Sequence, residues 1–516
     1  MRKFKRISVK HKRGIPIPTR IIFSAFFLLV QMVIFFAVFL NLSTKSISIY
    51  LVSELFGIVT VVYIINRRGN PSYKLMWAVF ILVFPIFGIF VFLLLGGERV
   101  MPHLKKKMKK CQEHYLPEIE KETEVTERLK IIDPRHARQS VFLTNEADYP
   151  LSDSSTVEYL SPGEEFFPKF LSELEMAREY IFIEFFIIAE GIMWDAVYKI
   201  LCEKVKQGVE VKVMFDDFGS IKRQHKNFIS RLQSHGIKVA VFNKIRPSFN
   251  IFMNNRNHRK ICVIDGKTAV TGGLNLADEY INKFKRFGYW MDCAAIIKGE
   301  AVKSFLAMFC TTWEFTTGEQ IDIKSHLRDY KVASNGFVQP YSDGPLNNKN
   351  PAEGIYMQIL DTATDYVYIA TPYLIIDNAM KTTLKNAANS GIDVRIITPY
   401  IPDKWYVHPV TQYNYLELLE AGVKIYEYTP GFIHSKLFVS DDRIATIGTV
   451  NMDYRSFEFH FECGVWIDDC ETAMTVKTHF DRLLRASHNI TLEEWKKEKP
   501  IKKLKRTILN LFSPFM

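Results

Sequence analysis

The sequence has no C-x-x-C pair. Its seven cysteines (Cys111, Cys202, Cys262, Cys293, Cys310, Cys463 and Cys470) are scattered, odd in number and without a histidine-rich ligand spacing. This excludes a disulfide framework and a zinc site, and suits a reducing, cytosol-facing environment. Acidic excess is missing too: 67 Lys and Arg stand against 56 Asp and Glu, a formal net charge of +11. Such a balance suits an anionic partner, nucleic acid or membrane surface, and does not choose between them. Charge is absent altogether from residues 21–40 and 75–95. No small-x-small cleavage site follows the first of these runs, so the basic start (Arg2, Lys3, Lys5, Arg6, Lys10, Lys12, Arg13) reads as retained and not as a removed signal peptide.

Each uncharged run is close to the about 20 residues that a helix needs to cross a bilayer. Residues 47–65 are apolar apart from Glu54 and form a third candidate. The positive-inside rule draws the amino terminus, the loop with Arg67, Arg68 and Lys74, and the cluster Lys105, Lys106, Lys107, Lys109 and Lys110 toward the cytoplasm. Three full spans cannot satisfy all three. Pro85 and Gly88 interrupt the last run, so one run is expected to be re-entrant or interfacial. The reading is a membrane anchor of two or three apolar helices over 1–100, followed by a charged juxtamembrane linker over 101–136 that lies above anionic headgroups. The rest of the chain is expected in the cytoplasm.

From residue 137 onward, short β-rich runs alternate with amphipathic helical stretches, which predicts layered α/β structure. The pattern occurs twice. The segment that starts at Tyr180 matches the one that starts at Tyr366, an offset of 186, and Gly236-Ile-Lys-Val matches Gly422-Val-Lys-Ile at the same offset. The fold expected is therefore two duplicated α/β/α halves, 137–325 and 326–490, related by a pseudo-twofold axis. By the next landmark the offset has fallen to 176. The first half thus carries extra residues between Asn243 and Asn257, a loop expected to shape a pocket.

That landmark is His258-x-Lys260-x4-Asp265-x6-Gly272-Gly273-x-Asn275, which returns without gaps as His434-x-Lys436-x4-Asp441-x6-Gly448-Thr449-x-Asn451. At ordinary residue usage five such fixed positions arise by chance in fewer than about one start in a million. The residues after Lys260 read as a strand, Asp265-Gly266 as a two-residue hairpin turn, and Lys267 onward as the returning strand. His258 and Lys260 then share a face, and Gly273 is expected opposite His258, where its lack of a side chain leaves room for a ligand. Thr449 takes the matching place facing His434, and Asn275 and Asn451 add amide donors. Two histidines, two lysines and two asparagines form an arrangement for an anionic phosphoryl group between the halves, with no metal and no cofactor required. Asp265 and Asp441 complete the catalytic motif, at the turn, in a pairing and turn-forming role.

The twin H-x-K-x4-D motif resembles that of the phospholipase D superfamily, over nearly the whole chain. Asn257-His258-Arg259-Lys260, Thr271-Gly272-Gly273-Leu274-Asn275 with Asp278-Glu279-Tyr280, and Gly448-Thr449-Val450-Asn451-Met452-Asp453 with Arg455-Ser456-Phe457 are similar to bacterial cardiolipin synthases. So are Asn70-Pro71 with Lys74, Trp77, Pro85 and Gly88, and the closing Leu511-Phe512-Ser513-Pro514. The resemblance implies a multi-pass bacterial membrane enzyme that acts on phosphatidylglycerol in two steps. One histidine attacks phosphorus, glycerol leaves, and a second phosphatidylglycerol collects the phosphatidyl group from a phosphohistidine. By that analogy His258 is the nucleophile and His434 the general acid and later base, although the motif itself does not order the two. Lys260, Lys436, Asn275 and Asn451 would hold phosphate oxygens. Asp292 and Glu462, the acids at matching places, would orient the histidines.

The carboxyl tail over 491–516, with Lys496, Lys497, Lys499, Lys502, Lys503, Lys505 and Arg506 followed by Ile508, Leu509, Leu511 and Phe512, reads as a basic interfacial segment. Hydrolytic lipases and nucleases use the same motif, and a lipid-binding scaffold is a further class. The apolar amino terminus disfavours a nuclease and a nucleic-acid partner. Two intact motif copies disfavour a scaffold. Only the acceptor, water or lipid hydroxyl, separates hydrolase from transferase.

Overall fold

The computed structural model describes residues 47–67, 69–95, 102–119, 123–245, 254–346 and 349–516. The expected helix at 21–40 lies outside the described residues. The chain divides into two compact units, Met1–Glu98 with Arg246–Asn250, and the remainder.

In the first unit Ile47–Ile65, Pro71–Val83 and Pro85–Leu95 are helices. Asn70 caps the second by accepting the Ser72 N–H at 3.0 Å. The run at 75–95, expected as one membrane helix, is corrected to parts of two. Proline has no N–H and disfavours helical backbone in the residue before it, so the helix stops at Phe84 (φ −133, ψ 73) and a new one starts at Pro85. The two pieces pack together through Trp77 and Phe92, whose ring centroids lie 5.3 Å apart. Gly88 sits so close that a Cβ there would lie 2.8 Å from Ile81 Cα. Among the described residues no helix is long and apolar enough to cross a membrane.

The second unit holds the duplication. Its first half contributes β1 (Ser155–Leu160), β2 (Tyr180–Phe185), β3 (Glu210–Asp216), β4 (Lys238–Phe242), β5 (Arg256–Asn257), β6 (Lys260–Ile264), β7 (Thr268–Gly272), β8 (Tyr289–Met291) and β9 (Ala294–Gly299). Its second contributes β10 (Phe337–Asp343), β11 (Tyr366–Ala370), β12 (Leu374–Ile375), β13 (Asp393–Pro399), β14 (Lys424–Tyr428), β15 (Gly431–Ile433), β16 (Leu437–Ser440), β17 (Ile444–Gly448), β18 (Met452–Asp453), β19 (His460–Asp468) and β20 (Ser487–Ile490). One sheet runs β1-β9-β7-β6-β2-β3-β4 and the other β10-β19-β17-β16-β11-β13-β14-β20, the same order in both halves with one added edge strand. The central strands are buried on both faces and so read as continuous apolar runs. In β2, Ile181, Ile183 and Phe185 face a core with the helices Gly163–Met176 and Ile192–Lys206. Tyr180 and Phe182 face a second core shared by both halves. Helix Val302–Thr317 runs through that shared core with 13 buried residues, among them Phe305, Phe309 and Trp313.

Residues 101–136, expected as a linker over headgroups, supply the helices Pro102–Tyr115 and Thr123–Ile132. Their apolar sides are buried at Met108, Cys111, Tyr115, Val125 and Leu129, and Lys107 Nζ donates to the Phe315 carbonyl at 2.6 Å. Apolar residues at helical spacing inside the charge-rich sequence are what draw this segment into the catalytic unit.

Candidate active site

Both motif strands end in a three-residue turn: Asp265 to Lys267 joins β6 to β7, and Asp441 to Arg443 joins β16 to β17. Asp265, Gly266, Asp441 and Asp442 all have positive φ (51°, 65°, 51° and 55°), a backbone that Gly, Asp and Asn tolerate best. The Asp265 carboxylate accepts the N–H groups of Arg178, Glu179 and Tyr180 at 2.7–2.8 Å. Asp441 accepts those of Thr364, Asp365 and Tyr366 at 2.7–3.0 Å. These motif aspartates therefore fasten each hairpin to the strand beside it. The extra turn residue also corrects the register expected for a two-residue turn. Cys262 pairs with Val270 and Leu437 with Ile447, which sets Gly272 level with Lys260 and Gly448 level with Lys436.

The space beside Gly273 is not open for a ligand. A Cβ built there would lie 2.0 Å from Asp292 Oδ1. The carboxylate occupies the place of the missing side chain and from there reaches His434, whose Nδ1 lies 2.7 Å from Asp292 Oδ2. In the second copy Thr449 replaces the glycine and its hydroxyl donates to Glu462, the longer acid. Glu462 Oε1 and Oε2 lie 2.9 and 3.0 Å from His258 Nδ1. The pairing is thus crossed, each histidine being held by a carboxylate from the other half. Short parallel ladders hold the crossing, β5 with β19 and β15 with β8. The backbone N–H of His258 donates to the Phe461 carbonyl at 2.9 Å, and that of His434 to the Met291 carbonyl at 2.7 Å. For Gly273→Ala the expected outcome is a fall in kcat of about 10²-fold from the displaced Asp292, with an unchanged circular dichroism spectrum.

Lys260 and Lys436 are buried, and each Nζ donates to the carbonyl of its own motif histidine, at 2.6 Å for Lys260. Burial pushes both ammoniums down, Lys260 to about 7 and Lys436 to about 8. Burial also holds both histidines below their usual range, reinforced by the lysine beside each. Burial alone would raise Asp292 and Glu462, but their histidine partners outweigh it and keep both below the ordinary carboxylate range. An ionised carboxylate beside Nδ1 accepts a hydrogen bond from Nδ1–H, which leaves Nε2 with its lone pair. A depressed lysine loses its charge as pH rises, so kcat/KM is expected to start falling at about pH 7, where Lys260 discharges, and to fall further above about pH 8 with Lys436, while kcat holds to higher pH because bound phosphodiester restores the ammoniums. Paired pH profiles of kcat and kcat/KM check this.

The asparagines diverge. Asn275 accepts the Ile187 N–H at 2.9 Å and donates to the Tyr280 hydroxyl at 2.7 Å, which ties its amide to the fold at both ends. Asn451 instead has a buried amide oxygen that bonds no described residue. One residue of the site, His460, was not singled out from the sequence. It precedes Glu462 by two on β19, a spacing that puts both on one face. Its ring centroid lies 5.5 Å from that of His258, and both its ring nitrogens are buried without a hydrogen bond. The matching place in the first half is Trp290, 5.3 Å from the His434 ring. The donor atoms of His258, His460 and Glu462 lie within 4.8 Å of one another, close enough to hold a cation. Lys260 and Lys436 beside them oppose a cation and favour an anion.

The model of the family "Cardiolipin synthase, PLD-like domain" matches residues 170–313 and 356–484, and the phospholipase D-nuclease N-terminal model matches 55–97. The chain belongs to the cardiolipin synthase family. Cardiolipin synthase 2 of Bacillus anthracis is 34% identical over 88% of this chain and 89% of its own length. The cardiolipin synthase of Halalkalibacterium halodurans is 34% identical over 88% and 91%. An uncharacterized protein of Streptococcus mutans is 39% identical over 89% and 99%. The crystal structure of phosphatidylserine synthase from Haemophilus influenzae shares the fold, with a TM-score of 0.53 and 15% identity over 74% of this chain and 98% of that one. As a member of this family the chain is a phosphatidyltransferase that acts on phospholipid.

Proposed function

We propose that the enzyme joins two molecules of phosphatidylglycerol into cardiolipin and free glycerol through a phosphatidyl-histidine at His258. The crossed holding of His258 by Glu462 and of His434 by Asp292 carries this reading, because it fixes the tautomer of both imidazoles and ties the two motif copies to one another beside two buried lysines. In the first step Nε2 of His258 bonds to phosphorus, the bond from phosphorus to the glycerol oxygen breaks, and protonated His434 gives that oxygen its proton. The bound phosphodiester anion favours the imidazolium form that His434 needs. In the second step a hydroxyl of another phosphatidylglycerol loses its proton to His434 and attacks phosphorus, and the bond to His258 breaks. Lys260 and Lys436, charged once the anion is bound, stabilise the charge on the phosphoryl oxygens, and the Nδ2 amide of Asn451 would be the group to donate to those oxygens.

Neither step needs a metal or cofactor. The apolar runs over 1–100 favour a multi-pass anchor in the cell membrane, and the positive-inside pattern favours a cytoplasmic catalytic region. Purified protein incubated with phosphatidylglycerol vesicles and a chelator is expected to yield cardiolipin and glycerol by mass spectrometry. Phosphatidic acid without cardiolipin would mean a hydrolase, and loss of turnover restored only by a divalent ion would contradict the lysine-based site.

A further inference from the structure

The last α-helix of the chain, Pro500–Asn510, is amphipathic and docked by the face that carries Arg506 and Leu509, the latter half-buried against the cluster of Val407 and Val410, and not by its main apolar stripe. Arg506 is its buried residue: the guanidinium stacks on Trp495 at 4.0 Å, donates to Gln412 at 3.1 Å and pairs with Glu498. With that face turned inward, Ile501, Leu504 and Ile508 are left in water, followed by Leu511 and Phe512. Ile501 is 68% exposed and Leu511 61%, values that a soluble surface helix normally reserves for its charged side. Lys502, Lys503 and Lys505 flank the stripe and are exposed. Beside it, Trp405 is 69% exposed, with Lys505 Nζ 5.5 Å from its ring, and Tyr400 and Tyr406 are exposed as well. Exposed apolar and aromatic side chains rimmed by lysine complement an anionic bilayer surface, in which the rings and stripe enter the headgroup region and the ammoniums meet phosphate.

This face is joined to the rim of the catalytic site at two points. Lys404, next to Trp405, donates to the Tyr373 hydroxyl at 3.1 Å; the Tyr373 ring lies 6.5 Å from Phe432, and Phe432 lies 5.9 Å from His434. On the other side Arg455 Nε donates to the Phe515 carbonyl at 3.2 Å, and the turn that Arg455 opens runs directly into His460 at the start of β19. We infer that the carboxyl-terminal helix and the Trp405 loop form a docking face for an anionic bilayer, which holds the twin-histidine cleft against the lipid that it acts on. The inference rests on the lipid-substrate reading, and a binding readout tests it separately from turnover.

In the full chain, with the two thiols that are not buried, Cys202 and Cys470, replaced by serine, Leu504→Cys carries an environment-sensitive fluorophore. Reconstitution into phosphatidylglycerol bilayers is expected to shift its emission to the blue relative to phosphatidylcholine bilayers. Lys502→Gln, Lys503→Gln and Lys505→Gln together should weaken this insertion about a hundredfold. Equal emission in both lipids, or a shift that tracks protein concentration and self-association, would overturn the inference. Separately, Ile501→Glu with Ile508→Glu should lower turnover of phosphatidylglycerol in bilayers about tenfold while leaving turnover of detergent-dispersed phosphatidylglycerol unchanged. An equal fall in both would assign these residues to folding and overturn the docking role. Failure of the parent chain to turn over phosphatidylglycerol in either form would count against the proposed reaction, and the emission shift would still decide docking.

Discussion

His258→Ala is expected to lose at least about 10²–10⁴-fold in turnover, with His434→Ala losing a similar amount for a different reason. Without His258 there is no atom to receive the phosphatidyl group. Without His434 the group can still transfer to His258, but the departing glycerol oxygen lacks a proton donor. The two variants therefore separate when the leaving group is made better. With a phosphatidyl ester of a nitrophenol, which leaves without protonation, His434→Ala should regain its first step and His258→Ala should not. Equal rescue of both, or near-normal turnover of phosphatidylglycerol by either, would contradict the division of roles. Both side chains are buried, so the thermal transition of each variant should be compared with the parent before rates are interpreted.

Glu462→Gln and Asp292→Asn carry the second large effect, a fall in kcat of about 10²–10⁴-fold with KM little changed. An amide fills the same space but brings no charge to stabilise the imidazolium, and its NH2 group opposes the Nδ1–H that fixes the tautomer. The crossed geometry makes the assignment specific. Glu462→Gln should impair the attack of His258 on phosphorus, and Asp292→Asn the proton transfers of His434 in both steps, although each carboxylate lies in the opposite half. A change confined to KM, or to stability alone, would make these carboxylates structural.

The duplication was legible because hairpin motif, strand and turn repeat at constant spacing, and the matching order of the two sheets follows from it. The crossing was not legible. Short strands such as β5 and β8 have no periodicity, and they exist only because the two halves meet. The one-residue error in register came from a local choice: Lys267 and Arg443 belong to the turns, and a third turn residue shifts every opposite pair. Gly273 was read as space for a ligand because a sequence does not show that Asp292, nineteen positions later, fills it. His460 escaped notice because its counterpart is Trp290, so comparing the copies removed it from the shared pattern. The run at 75–95 has the length of one span on hydropathy; the interruption at Pro85 is legible in the sequence, and the packing of its two pieces against each other is not. In residues 101–136 the count of charges hid an apolar stripe at helical spacing.

The most direct test of the twin-histidine account is to quench the enzyme in its steady state on phosphate-labelled phosphatidylglycerol, digest it at alkaline pH, where phosphohistidine survives, and locate the label by mass spectrometry. The account predicts a phosphatidyl group on the peptide that carries His258, lost in His258→Ala. Label on His434 instead, or no labelled residue while cardiolipin continues to form, would contradict it.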